Sequence, residues 1–374
     1  MIQKSPRVIV SVTNDLYTDQ RVHKVCMFLM QQGYSVLLVG RLRKNSLPLD
    51  RPYQTHRMKL LFDKGPLFYA GFSIRLFWFL LFRKSSVLVS NDLDTLLPNF
   101  LISKLKRVTL VYDTHEYFTE VPELVNRPKV QAIWEKIEGW IFPKLTQIYT
   151  VNHSIANRYE AKYGKKLAVV RNISPPWNAS NLKSKAELGI PEDKFILIFQ
   201  GAGINIDRGG EEAVLAMKLV ENAVLLFVGD GDVIPTLKSM VANLHLEEKV
   251  KFFGKKPYSK MMNYTYHADL GLTLDQDTNL NYRFSLPNKV FDYMHTQTPI
   301  LASDLVEVKK VVIENEIGMI ISGHAPEQIA ADIQKIQANP GLHATWKSNC
   351  IAASLKENWE KETAVLAQIY PAVK

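Results

Sequence analysis

Short, largely apolar runs alternate with longer amphipathic segments along the chain. In the first half, Arg7–Val12, Ser35–Val39, Val87–Ser90, Val108–Tyr112 and Gln147–Val151 are too short for core helices and read as buried strands. Between the first two, Gln20–Gln32 has helical periodicity and is closed by Gly33 in a C-cap position. Residues 173–194, ISPPWNASNLKSKAELGIPEDK, break the pattern with Pro, Ser and Asn and read as a linker. The alternation then restarts with strands at Phe195–Gln200, Ala223–Val228, Val250–Phe253, Leu270–Leu274 and Pro299–Ser303. Helices are predicted at 211–221, 233–244, 288–296 and 326–338, and a last helical run at about 345–370 contains Trp359 and Tyr370. The pattern predicts an α/β protein in which one parallel-sheet architecture is used twice. Sheets of this kind bind ligands beyond the carboxyl ends of their strands, which puts a site in the cleft between two domains.

Composition supports the two-domain reading. The chain has 374 residues, 47% hydrophobic and 22% charged, which is globular and too long for one ordinary core. Cys26 and Cys350 form no metal or redox spacing and fit a reducing cytosol. The opening MIQKSPRVIVSV has an apolar core of only Val8–Val12, so a first strand is expected rather than a signal peptide. Residues 65–84, GPLFYAGFSIRLFWFLLFRK, are the best membrane candidate, but Arg75 interrupts them and a buried or surface-lying helix is expected.

Charge changes the picture more. Residues 1–110 hold 17 Lys+Arg and 6 Asp+Glu, a net of +11, whereas the whole chain is +9. A basic first half with an aromatic-rich helix points to an anionic partner, either a phospholipid surface or a phosphate-bearing substrate. An ordinary basic, solubilising face is the plain alternative. No nucleic-acid-binding motif accompanies the charge, and nucleic acid is not expected as a partner.

Candidate chemistry sits just after the strands. Gly201-Ala202-Gly203 leads through Asp207, Arg208, Gly209 and Gly210 into a helix, and glycines, a helix start and a guanidinium are what a diphosphate needs in the absence of a Walker lysine. Gly229-Asp230-Gly231-Asp232 follows the next strand, with Asp230 placed to cap a helix. In Ser285-Leu286-Pro287-Asn288-Lys289, the first two residues offer backbone N–H groups, Asn288 a cap and Lys289 a charge, while Asp292 lies one turn in, where it could reach a sugar hydroxyl pair. In the first half, Asp19 and Arg21 flank a helix start, Asn91 and Asp92 follow the third strand, and Asp113, His115 and Glu116 follow the fourth. Three polar turns at one end of one sheet favour an active-site role for His115.

The ordered set of these segments resembles a family-four glycosyltransferase of the GT-B fold across nearly the whole chain. The likeness is carried by Asn14–Val22, Gly33-Tyr34-Ser35-Val36, Asn91-Asp92-Leu93-Asp94-Thr95-Leu96 and Tyr112-Asp113-Thr114-His115-Glu116, and in the second half by Gln200-Gly201 with Arg208-Gly209, Val228-Gly229-Asp230-Gly231, Val250–Gly254, Ala268-Asp269, and Leu286–Met294 with Pro299-Ile300. The resemblance implies two Rossmann-like domains facing each other across a cleft. Residues 1–172 would bind the acceptor and 173–354 the nucleotide sugar, with the C-terminal helix, about 355–374, crossing back to the first domain. It further implies retaining transfer of a sugar from a nucleotide-diphosphate sugar, without cofactor or metal, to a glycan or polyprenyl-phosphate-linked acceptor. Arg208 would neutralise the diphosphate with Lys289, Asp292 would bind the ribose, and His115 would line the reaction centre. A cytoplasmic enzyme, peripheral on the inner face of the membrane and serving cell-surface polysaccharide or glycolipid synthesis, fits the basic first half.

The sequence departs from that family at three places. Phe284 stands where many members carry the first of two glutamates eight positions apart, Gly203 where a basic residue is frequent, and Thr296-Gln297-Thr298-Pro299 lacks the glycine expected at its second position. A nucleotide-sugar epimerase on the same scaffold and a non-catalytic nucleotide-sugar-binding relative are the alternative readings. The absent carboxylate argues against the first, and the retained Arg208, Lys289, Asp292 and His115 against the second.

Overall fold

The computed structural model describes residues 5–373, apart from residues 18, 45 and 176 and the side chain of residue 181. Thr18 of the first polar turn and Pro176 of the linker therefore lie outside the described residues. The chain divides into two compact units, Met1–Arg171 with Glu362–Lys374, and Asn172–Lys361.

The first unit is built on seven parallel strands: β1 Arg7–Asp15, β2 Ser35–Arg41, β3 Gln54–Met58, β4 Val87–Asn91, β5 Thr109–Thr114, β6 Gln147–Thr150 and β7 Ala168–Val169, in the spatial order β3-β2-β1-β4-β5-β6-β7. The central strands are apolar because helices cover both faces; Val8, Ile9, Leu88, Val89 and Val111 are fully buried. β3 and β7 are additions to the sequence reading. β3 is an edge strand whose Gln54, Thr55 and His56 are exposed, so it lacks the apolar run that marks its neighbours. Register places Asn91 of β4 beside Asp113 of β5, so the polar ends of the two strands coincide.

Three helices border the unit's polar turns and its exposed apolar surface: α1 Gln20–Gln31, α2 Pro66–Leu81 and α3 Leu93–Lys106. Asp19 caps α1 by accepting the Val22 N–H at 3.0 Å. α2 buries Phe68, Phe72, Leu76 and Leu80, every fourth residue, and leaves Leu67, Ile74 and Trp78 exposed. It lies on the unit's surface, and among the described residues no helix is long and apolar enough to cross a membrane.

The expected single run at 345–370 is two helices, Pro340–Lys356 and Trp359–Ile369, because Asn358 breaks it and accepts the Lys361 N–H at 3.1 Å. The chain returns to the first unit from Glu362 onwards. Glu362 takes the Arg171 guanidinium at 2.7 and 3.0 Å, Tyr370 is buried against Tyr149, and the Val373 N–H reaches the Gln32 carbonyl at 2.9 Å.

The second unit has six parallel strands: β8 Phe195–Gly201, β9 Ala223–Gly229, β10 Val250–Phe252, β11 Leu270–Thr273, β12 Ile300–Ala302 and β13 Gly318–Ile320, ordered β10-β9-β8-β11-β12-β13. Side chains alternate across the sheet. Leu197, Phe199, Leu225 and Phe227 join one core, while Ile196, Ile198, Val224 and Leu226 join the other. With both faces buried, these strands show no polar alternation in sequence, and the architecture expected from the pattern is the one found. The helix expected at 211–221 is shorter, Gly210–Ala216, and the helices Tyr258–Tyr266 and Val306–Glu314 and strand β13 complete the unit.

Candidate functional site

In the second unit β8 and β9 end in register, Gly201 beside Gly229, and the turns after them are stitched together. The Asp230 N–H donates to the Gly201 carbonyl at 3.1 Å, and the Ile204 N–H to the Asp230 carbonyl at 3.0 Å. A Cβ on Gly229 would stand 1.8 Å from the Gly201 oxygen, so the neighbouring turn alone demands a glycine there. Gly209 has the same kind of reason: it holds φ +81° at the start of the Gly210–Ala216 helix, and a Cβ would meet Leu274 at 2.3 Å. Gly203 differs. A Cβ would meet only Asn205, at 3.7 Å, so packing does not require glycine there and its backbone stays bare. Asp230 does not cap the next helix, which starts at Ile234; its Oδ1 accepts the Gly231 N–H at 2.9 Å instead.

Arg208 precedes the Gly210–Ala216 helix and is the centre of a charged cluster. Its Nη1 lies 2.6 Å from Oδ1 of Asp275, and its guanidinium stacks 4.2 Å over the Tyr282 ring. Asp275 follows β11, is fully buried, and takes Lys289 Nζ at 3.3 Å and the Thr273 hydroxyl at 3.2 Å on its other oxygen. The Lys289 ammonium also sits 4.7 Å over Phe199. Burial pushes the Asp275 carboxyl up, but Lys289 and Arg208 outweigh it and hold it below the usual carboxylate range. Burial lowers Lys289 in spite of Asp275. Two cations therefore converge on one carboxylate, and Arg208 is still a quarter exposed, with a buried Nε that has no partner among the described residues.

The turn before the Lys289–His295 helix is only partly available to a ligand. The Ser285 N–H, expected to face a phosphate, donates to the Tyr282 carbonyl at 3.0 Å, which closes the short helix Leu280–Arg283. Among the described residues, the Leu286 N–H has no hydrogen-bond partner, and neither has the buried Ser285 hydroxyl. Asn288 does not cap by its side chain; it already has right-handed helical angles, φ −54° and ψ −32°. Asp292 is 4% exposed, accepting Ser174 Oγ at 2.7 Å and Tyr258 OH at 2.9 Å on Oδ1 and Gln200 Nε2 at 3.0 Å on Oδ2. It thereby anchors its helix to the linker and to β8. Phe284, in the position of a family glutamate, is buried. Gln297, in the position of the expected glycine, is held at φ +59°, the conformation a glycine would adopt without cost.

In the first unit Arg21, Asn91, Asp92, Asp113 and His115 come together at the carboxyl ends of β4 and β5. Arg21 is 4% exposed and grips Asp113 with both arms, Nη2 to Oδ1 at 2.8 Å and Nε to Oδ2 at 3.2 Å, while Nη1 donates to the Val170 carbonyl at 2.9 Å. His115 lies between carboxylates: Nε2 is 3.0 Å from Asp113 Oδ2 and 3.1 Å from Asn91 Oδ1, and Nδ1 is 3.4 Å from Asp92 Oδ2. Its backbone N–H donates to Asp92 Oδ1 at 2.8 Å. Burial would lower its pKa, but Asp113 and Asp92 raise it to about 9, so the ring is an imidazolium at neutral pH. Burial raises Asp113 as well, yet Arg21 and His115 bring it down to about 2. Asp92, with less compensation for its burial, rises to about 6. Asp19 serves as the α1 cap, and Glu116 is exposed.

Asp275 escapes the sequence reading, and Gln200 and Asp94 stand in it only within the segments that carry the resemblance, without a role of their own. Asp275 lies directly after a strand, which was the available signal, but its partners are 67 and 14 positions away. Gln200, the last apolar-run residue of β8, holds Asp292. Asp94, on the first turn of α3, accepts the Thr13 hydroxyl at 2.5 Å, and burial raises its carboxyl to about 6.

Each unit is a Rossmann-like parallel sheet, and the chain as a whole has the GT-B fold. A sucrose-phosphate synthase from Thermosynechococcus elongatus matches it with a TM-score of 0.77 at 17% identity over 98% of each chain. The Anabaena Alr3699/HepE protein, solved in complex with UDP-glucose, matches with a TM-score of 0.72 at 14% identity over 97% of this chain and 98% of that one. Residues 180–352, within the second unit, match the family Glycosyl transferases group 1. A D-inositol 3-phosphate glycosyltransferase from Thermobispora bispora is 23% identical over 214 residues, 53% of this chain and 47% of the relative. The chain spans about half the length of the first curated relatives it matches.

Proposed function

We propose that the protein transfers a sugar from a nucleotide-diphosphate sugar to a glycan or lipid-linked acceptor, with the second unit holding the donor and the first the acceptor. The observation that carries this reading is the cluster in which Arg208 and Lys289 converge on the buried Asp275 at the ends of β8 and β11. Breaking the bond between sugar and diphosphate builds negative charge on the leaving phosphate, and preorganised cations stabilise it most effectively where water is scarce. The backbone at Gly203, uncrowded by side chains, and the Leu286 N–H, unpaired among the described residues, are further donors of the kind a diphosphate takes. The leaving phosphate itself takes the acceptor's proton in a front-face, retaining reaction, so neither a strong protein base nor a metal is needed. His115, charged and fixed between Asp92 and Asp113, brings positive charge to the reaction centre rather than a base.

Asp292 would meet the nucleotide's ribose through the Ser174 and Tyr258 hydroxyls that it orients. Phe284 leaves the sugar pocket one carboxylate short and is the residue to examine for donor-sugar choice. The UDP-glucose complex of the Anabaena protein supports a nucleotide-sugar donor. The basic first unit supports an acceptor carried by a membrane lipid at the cytoplasmic face, as in cell-surface polysaccharide or glycolipid synthesis. Thermal-shift measurements with UDP, GDP, ADP and CMP test the reading: one nucleoside diphosphate raises the melting temperature, and no shift with any of the four removes the proposal.

A further inference from the structure

The first unit has a cavity at the end of its sheet opposite to the His115 cluster. It opens at the amino ends of β5 and β6, where Thr109 and Gln147 begin the strands whose other ends carry Asp113 and Thr150. Its volume is about 420 Å³, and Phe100, Ser103, Lys104, Arg107, Lys144 and Gln147 form its working wall. Among the described residues, none of Lys104, Arg107 and Lys144 is paired with a carboxylate. Aromatic faces hold two of them instead: Lys144 Nζ lies 4.4 Å over Trp140, and Lys104 Nζ 5.5 Å over Phe100. The Gln147 Oε1 is buried in this wall without a partner among the described residues.

None of the residues lining the cavity is Asp or Glu. Lys106 pins the end of α2 to the end of α3 by donating to the Leu80 and Arg83 carbonyls, both at 2.7 Å. That contact brings Trp78 and Phe82, 53% and 78% exposed, to the same end of the unit as Leu105, 64% exposed. Trp140, half exposed, packs on Phe100 at the cavity's edge. Between residues 64 and 112 the only acidic residues are Asp92 and Asp94, both at the opposite end of β4. Unpaired cations around a cavity, bordered by exposed aromatic and leucine side chains, match a phosphate under a lipid interface. A free phosphate has no use for the apolar border.

We propose that this cavity binds the headgroup phosphate of an anionic phospholipid, with Lys104, Arg107 and Lys144 around the phosphate and Trp78, Phe82, Leu105 and Trp140 entering the interface. The proposal deepens the membrane part of the proposed function. Lysines at the end of α3 also offset the helix's terminal carbonyls, and that role alone requires no lipid.

Flotation of the full chain, without nucleotide, separates these possibilities. The probes are phosphatidylcholine vesicles, the same vesicles with phosphatidylglycerol, and soluble glycerol 1-phosphate. The chain floats with the phosphatidylglycerol vesicles and not with phosphatidylcholine alone. The combined variant Lys104→Ala, Arg107→Ala, Lys144→Ala lowers that partition about a hundredfold, and the pair Trp78→Ser, Phe82→Ser lowers it as well. The melting temperature and the nucleotide-induced shift of the combined variant check its fold, and an unchanged shift with lost flotation supports the proposal. No flotation of the wild type, or equal flotation of the combined variant, overturns it. Saturation by glycerol 1-phosphate without vesicle binding overturns the lipid assignment in favour of a soluble phosphate ligand. A protein that floats but binds no nucleotide keeps this proposal and removes the transfer reading.

Discussion

Replacing Asp275 by Asn removes the single negative charge between Arg208 and Lys289 and preserves the side chain's size. Asp275 is fully buried, and Lys289 and Arg208 are 11% and 25% exposed. Breaking a buried ion pair from one side costs about 3–5 kcal/mol, and the partial exposure of Arg208 puts the expected loss near the lower end, about 3 kcal/mol. For a unit of this size that lowers the melting temperature by about 6–12 °C. The effect on ligand has the opposite sign. Asp275 repels an incoming diphosphate, and one unit charge at about 6 Å in an effective dielectric near 40 is worth ~1.4 kcal/mol. Losing it should tighten nucleoside diphosphate binding about tenfold. Scanning calorimetry reads the first effect and isothermal titration with the diphosphate identified by thermal shift reads the second. A variant that loses stability and also binds the nucleotide more weakly would refute the reasoning, since Asp275 would then be positioning the cations rather than competing for them.

His115 titrates near 9 in the folded unit against 6.5 in a free chain, so its contribution is complete below pH 6.5 and is lost as pH rises through about 9. The wild type should lose on the order of 3 kcal/mol across that window, and His115→Gln should flatten the melting-temperature profile there while leaving nucleotide binding intact. Gln297 is exposed and held at φ +59°, so Gln297→Gly should stabilise the second unit by about 0.5–1 kcal/mol, measured by chemical denaturation. A destabilised Gln297→Gly variant would mean that Gln297 gains something from its side chain that outweighs the backbone cost.

Much of the fold was legible because buried parallel strands announce themselves. β8 sends Leu197 and Phe199 into one core and Ile196 and Ile198 into the other, so its sequence is continuously apolar. β3 was hidden for the converse reason, having exposed polar residues on an edge. The positions of Arg208, Lys289 and His115 after strands and at a helix start could be read because topology puts ligands there. Their partners could not: Arg208 meets Asp275 and Arg21 meets Asp113 only through the sheet's strand order, which brings distant segments together. Residue type does not predict a cap where local angles decide. Asn288 and Asp230 are good capping residues by type, yet one already lies in helical conformation and the other closes its own turn.

Titration of wild type and Arg208→Ala with the nucleoside diphosphate that stabilises the protein bears most directly on the claim that the second unit holds a nucleotide-sugar donor. A charge-assisted contact to phosphate is worth about 1.5–3 kcal/mol, so the substitution should weaken binding roughly 10- to 150-fold. His115→Ala, in the other unit, should bind as the wild type does. Equal affinity in Arg208→Ala and wild type would contradict the donor assignment.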